Sequence, residues 1–172
     1  MIHLKIINTF NEISNKELLS FHIPSLEDMS FRQKLLADEE TMAYNAKWGG
    51  TIEFPREEWE ITYKRLINEN DKNFYAYLYS NELKCFIGEI GYRYDDELKE
   101  FVTNILIHAK YRNKGYGTIS LSMLCNVAKQ KGINVLADTI ALDNPSINIF
   151  LKQGFKEIYR TNDYILVKKD LL

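Results

Sequence analysis

Residues 112–118, Arg-Asn-Lys-Gly-Tyr-Gly-Thr, lie between a strand-like run, Val102 to Ile107, and a helical pattern that begins at Thr118 or Ile119. A loop with two glycines and two cations, ending a strand and opening a helix, is suited to hold an anion. The first amides of a helix have no backbone partner, and its dipole puts partial positive charge at that end. Gly115 and Gly117 allow a tight turn and leave no Cβ between backbone and ligand. The backbone N–H groups of residues 113–118 therefore form a nest, with Arg112 and Lys114 beside it. Its natural occupant is a phosphate or pyrophosphate.

Two common phosphate loops fit poorly. A Walker A loop needs lysine and Ser/Thr after its second glycine, and here the order differs. The dinucleotide fingerprint fits better, because Gly115-x-Gly117 follows a strand and Asp138 lies downstream. Its third glycine, however, is Ser120, and too little chain follows to complete a doubly wound sheet. A dinucleotide-dependent oxidoreductase is the most distant reading.

The rest of the chain predicts one domain of 172 residues, long enough for a sizeable core. Leu19 to Ile23 and Ile2 to Thr9 read as extended. Pro24-Ser25 opens a helix that Ser25 caps, and Asp38 to Tyr44 reads as a further short polar-to-helical piece. Pro55 starts another helix, with Trp59, Tyr63, Leu66 and Ile67 on one face. From residue 74 the period becomes that of strands: 74–79, 83–94 and 100–108, antiparallel and joined by short turns. Gly88 and Gly91 mark weak points or bulges in the second of these. The helix after the loop carries a broad apolar face and ends at Gly132. Ile133 to Thr139 is then a strand parallel to its neighbour. Ser146 caps a short helix closed by Gly154, and Phe155 to Arg160 with Tyr164 to Lys168 make a final hairpin.

The pattern Arg112-x-x-Gly115-x-Gly117, preceded by Ile107-His108 and Tyr111, resembles the pyrophosphate loop of the GCN5-related N-acetyltransferase (GNAT) family. A second block about 30 residues on strengthens the likeness. It runs from Asn144 through the helix at Ser146, with Phe150 and Lys152, to Gly154-Phe155. The resemblance covers residues 83–168. It implies an α/β (α+β) fold with a central mixed, mostly antiparallel sheet and helices on both faces. In that scheme 1–73 is the variable acceptor-side region and 74–172 the sheet core with the acetyl-CoA site.

The implied activity is acetyl transfer from acetyl-CoA, without a metal, to a primary amine of a small molecule or peptide. By resemblance, Leu106 and Ile107 pair through their backbones with the pantetheine arm. Residues Arg112, Asn113, Lys114, Gly115, Tyr116, Gly117 and Thr118 hold the pyrophosphate, while Asn144 and Phe150 flank the arm. Phe150 stands where many members have a tyrosine whose hydroxyl protonates the leaving thiolate, so Tyr116, Tyr159 or Tyr164 must replace it or the step goes without. Glu100, at the start of the central strand, is the candidate base, with Glu89 its rival; His108 reads as a turn residue. A non-catalytic acyl-CoA-binding domain is the alternative.

Composition narrows the setting. A net charge of −2 argues against nucleic acid as partner. Cys85 and Cys125 lie in apolar runs and read as buried free thiols, and no signal peptide or long apolar span is present. The expectation is a cytoplasmic protein away from membranes, monomeric or homodimeric. Glu39, Glu40, Glu53, Glu57, Glu58 and Glu60 are either a solvated face or an acidic rim that attracts a cationic amine.

Overall fold

A computed structural model describes residues 18–67 and 72–172. The extended run expected at Ile2 to Thr9 lies outside them. Seven strands form one sheet: β1 Leu19–His22, β2 Asn73–Ser80, β3 Cys85–Asp95, β4 Glu100–Ile107, β5 Val135–Ala141, β6 Lys156–Arg160 and β7 Tyr164–Asp170. Their order is β1-β2-β3-β4-β5-β7-β6, antiparallel throughout except for the β4–β5 neighbours. The helices are α1 Met29–Ala37, α2 Trp59–Leu66, α3 Tyr116–Gln130 and α4 Ile147–Lys152. Among the described residues no helix is long and apolar enough to cross a membrane.

Strand alternation divides the core in two. Ile87, Ile90, Leu136, Ile140, Ile165 and Val167 pack with Leu121 and Leu124 of α3 and Phe150 of α4. On the opposite face Tyr75, Tyr77 and Leu106 pack with Met29, Leu35 and Leu36 of α1 and Trp59 of α2. The sheet is thus covered on both sides, α3 and α4 on one and α1 and α2 on the other.

Two local expectations change, and a third, a bulge in β3, holds beside Gly88. Ser25 does not cap α1; its N–H and hydroxyl instead donate to Asp28 Oδ2 at 2.8 and 2.9 Å. That turn delays the helix to Met29. Gly88 and Gly91 lie within a continuous β3, and the register slips beside Gly88, where Ile87 is left without an opposite number on β2. The helix after the loop starts at Tyr116, earlier than its apolar pattern suggests, because Asn113 (φ 60°) and Gly115 (φ 82°) complete the turn first.

Candidate active site

The site begins where β4 and β5 part. They pair at Phe101↔Leu136 and Val102↔Ala137 only, although β4 continues to Ile107 and β5 to Ala141. Beyond Val102 and Ala137 the strands leave a cleft that widens towards their C-terminal ends. Such an opening in an α/β sheet is where backbone groups are left for a ligand.

Register decides which groups those are. His108 N–H donates to Ile87 O at 2.9 Å, so Gly88 and Ile107 form a wide pair and Glu89 and Leu106 the adjoining hydrogen-bonded pair. The N–H and C=O of Leu106 are therefore turned towards β3. Those of Ile105 and Ile107 are turned towards the cleft. Leu106 contributes its side chain instead, buried among the residues under α1. The expectation for Leu106 is corrected to Ile105, for a reason that only pairing reveals.

The cleft opens onto the glycine loop. Asn113, Lys114 and Gly115 are exposed, and α3 begins immediately after them. Gly117 lies in the first turn of α3, and a Cβ there would stand 2.9 Å from Ile149 Cδ1 of α4. Its glycine thus permits close packing of the two helices as well as a bare backbone at the nest. Thr118 follows on the same turn, and its carbonyl accepts from Gln153 Nε2 at 3.3 Å. Tyr116 is buried in the core.

Arg112 is differently employed than expected. Its guanidinium donates to the carbonyl oxygens of Ile107 (3.0 Å), Glu40 (3.3 Å) and Thr41 (2.7 Å). It ties the loop to the acceptor-side segment. Lys114 Nζ lies 6.0 Å from the centre of the Tyr111 ring.

Residues 40–47 span the wide end of the cleft. On the β4 side they are held by Arg112 and by Ala109 N–H donating to Thr41 Oγ1 at 2.9 Å. On the β5 side Lys47 Nζ meets Asp143 Oδ2 at 3.4 Å. Asn144 next to it accepts from Ser146 N–H at 2.9 Å through Oδ1. That bond closes a turn ahead of α4, and Ser146, expected to cap the helix, makes no side-chain cap bond.

The two candidate bases separate sharply. Glu100 sits at the N-terminal end of β4, about 23 Å of strand from Ile107, and its Oε1 lies 2.6 Å from Lys168 Nζ. It does not join the site. Glu89 stands opposite Leu106 and is buried. Its carboxylate accepts from Arg32 of α1, from Tyr75 OH at 2.5 Å and from Asn104 Nδ2 at 3.4 Å. Burial works against the Arg32 charge, but Glu89 and Tyr75 more than offset it and hold the guanidinium well above its usual value. Burial, reinforced by Glu89, pushes the Tyr75 hydroxyl well up. Nearby Tyr44 is pushed up by the same two causes.

At the narrow end of the cleft, Thr103 Oγ1 donates to Asp138 Oδ2. Desolvation raises the Asp138 carboxyl to about 7, against opposing hydrogen bonds from Thr103 and the Thr139 N–H. Phe150 is buried edge-on to Phe155, ring centres 5.0 Å apart, and belongs to the core. Tyr159 and Tyr164 contact each other on the outer hairpin. His108 Nδ1 accepts from Lys110 N–H at 3.2 Å, as a turn residue does.

Sequence reasoning missed Ile105, Arg32, Tyr75 and the Thr103–Asp138 pair. Asp138 carried a signal, its distance from the glycine loop, that belonged to another fold.

With this geometry in view, the chain matches the family described as Acetyltransferase (GNAT) family over residues 24–155. By sequence, no curated protein matches it. Among solved structures it is similar to a GNAT-family acetyltransferase from Bacillus anthracis, at 17% identity and TM-score 0.72, over 90% of this chain and 96% of that one. It is similar to spermidine N-acetyltransferase from Vibrio cholerae in complex with CoA and spermine, at 16% identity and TM-score 0.73, with 90% and 96% covered. It is also similar to the microcin C7 self-immunity acetyltransferase MccE in complex with acetyl-CoA and AMP, at 16% identity and TM-score 0.70, over 91% and 94%. At these identities the likeness concerns the fold.

Proposed function

The chain belongs to the acetyltransferase (GNAT) family, and from that premise we propose that it transfers an acetyl group from acetyl-CoA to a primary amine of a small molecule or peptide. The observation that carries this reading is the β4–β5 cleft, which is closed at Val102 and Ala137 and opens onto the exposed loop at Asn113–Gly115. In this reading the backbone N–H groups of 113–118 hold the pyrophosphate, with Lys114 adding charge. The pantetheine arm lies in the cleft as a substitute strand against Ile105 and Ile107. An N–H freed there faces the acyl oxygen and supports the oxyanion as the amine attacks.

The acceptor approaches from the α1 and α2 face, past Tyr44, Tyr75 and Arg32. Glu89 is already filled by Arg32 and Tyr75, so it holds these side chains in place, and the amine's proton leaves to solvent. Holding both reactants in line accounts for much of the rate.

The test is free-thiol release from acetyl-CoA across a panel of amines that includes polyamines, amino acids, peptides and amines joined to a nucleotide. Amine-dependent release is the expected result. Tight acetyl-CoA binding with no release from any amine would leave a non-catalytic acyl-CoA-binding domain.

A further inference from the structure

The geometry points to Asp138 as the group that protonates the departing coenzyme thiolate, an assignment that rests on the acetyl-transfer reading above. Asp138 follows Ala137, and Thr103 follows Val102, the last pair joining β5 to β4. Where the backbones stop bonding, these two side chains take over, Thr103 donating to Asp138. They form the floor of the cleft.

Alternation fixes the face they occupy. Leu136 and Ile140 bracket Asp138 on β5 and pack in the core under α3, as does Ile105 beside Thr103. The floor therefore lies on the same side of the sheet as α3, whose first turn carries the nest. A donor anchored by its phosphates at the mouth and extended along β4 runs about 13 Å of strand from Ile107 to Thr103. Its thioester end arrives at the floor.

The chemistry needed there is proton donation. The amine nitrogen attacks the thioester carbon, and the tetrahedral intermediate collapses as the C–S bond breaks, its electron pair going to sulfur. The Asp138 carboxyl gives its proton to that sulfur, leaving free thiol and a carboxylate. Solvent reprotonates the carboxylate before the next turnover, while the amine's own proton goes to solvent. Asp138 is half-buried, and its carboxyl titrates near 7 because of burial, so it still carries protons at neutral pH. An ordinary thiol titrates at about 8.5, which makes the transfer downhill. Thr103 and Ile105 of β4, Val167 of β7, Leu121 of α3 and Phe150 of α4, which share its core face, are uncharged; the charged or titratable groups on that face are Lys169 of β7, over the Phe155 ring, and Cys125 and Tyr116 of α3. Phe150 offers no competing hydroxyl.

The experiment measures thiol release by wild type, Asp138→Asn and Thr103→Val from pH 5.5 to 9, with one acceptor amine so that its own ionisation is common to all three. Asp138→Asn keeps an oxygen to accept the Thr103 hydroxyl but has no acidic proton. Its kcat should fall about 100-fold or more at pH 6.5, with KM for acetyl-CoA within about twofold and no alkaline limb. Wild type should show a limb that falls near pH 7. In Thr103→Val the bond that stabilises the carboxylate is lost, so the limb should move to higher pH, and this shift decides the matter even if Asp138→Asn fails to fold. An unchanged kcat in folded Asp138→Asn, a limb that persists without Asp138, or a limb unmoved by Thr103→Val overturns the assignment while leaving acetyl transfer intact. A wild-type protein that binds acetyl-CoA but releases no thiol overturns both.

Discussion

Val102 on β4 pairs with Ala137 on β5, and one residue further along each strand the contact passes from backbone to side chains, Thr103 to Asp138. This change of partner lets a seven-stranded sheet contain a cleft without leaving its floor unpaired. It also sets the cleft's depth, because the glycine loop at the other end is held in place by Arg112.

Arg112 and Lys114, two residues apart, should respond differently to removal. Arg112→Ala takes away three carbonyl partners and should lower stability by about 1–3 kcal/mol, with any loss of acetyl-CoA affinity insensitive to salt. Lys114→Ala should leave the melting temperature within a degree or two. It should weaken acetyl-CoA binding at low ionic strength, and the loss should shrink as salt screens the charge. Calorimetric titrations at two salt concentrations, beside thermal unfolding, check both.

Gly117 should be intolerant for two separable reasons. In Gly117→Ala the new Cβ meets Ile149 Cδ1, and such overpacking costs about 1–3 kcal/mol. Adding Ile149→Val deletes that methyl and should recover most of the stability. Gly117→Asp also puts a charge against the nest and should abolish the roughly 2.7 kcal/mol that acetyl-CoA at 100 times its Kd confers on the wild type. Denaturant unfolding with and without ligand measures both effects.

Glu89 and Glu100 invite the same substitution with opposite results. Glu89→Gln leaves buried Arg32 without its counter-charge and should cost about 3–5 kcal/mol. Glu100→Gln removes a partly exposed pair with Lys168 and should cost about 1 kcal/mol or less, with kcat unchanged. Urea unfolding of the two variants, with thiol release for the second, is the check.

The glycine loop was legible in the sequence because everything that defines it is local: a strand run, two glycines, two cations and a helix start. The antiparallel strands and the two-sided helical cover were legible from periodicity and from the resemblance. What lay hidden was long-range. Arg112 finds its carbonyls at Glu40 and Thr41, more than 70 residues back. Arg32 and Glu89 are 57 apart, so neither composition nor spacing links them. The error at Leu106 is one of parity, since a single step along β4 turns the backbone from cleft to neighbour. Asp138 was visible, but its meaning depends on where β4 and β5 separate.

Phe150→Tyr asks whether the missing hydroxyl matters at that position. Phe150 is 3% exposed and packed edge-on to Phe155. The added hydroxyl enters the core and should cost about 1–3 kcal/mol, with kcat unchanged. A rise in kcat at constant KM for acetyl-CoA would show instead that the side chain reaches the sulfur.

Amide hydrogen exchange with and without acetyl-CoA, read residue by residue along β4 and the loop, tests the donor site most directly. The account predicts new protection at Ile105, Ile107 and residues 113–118. Leu106, already paired with Glu89 across β3, should be unchanged. Protection gained at Leu106 but not at Ile105, or no change anywhere along β4 while acetyl-CoA is bound, would contradict it.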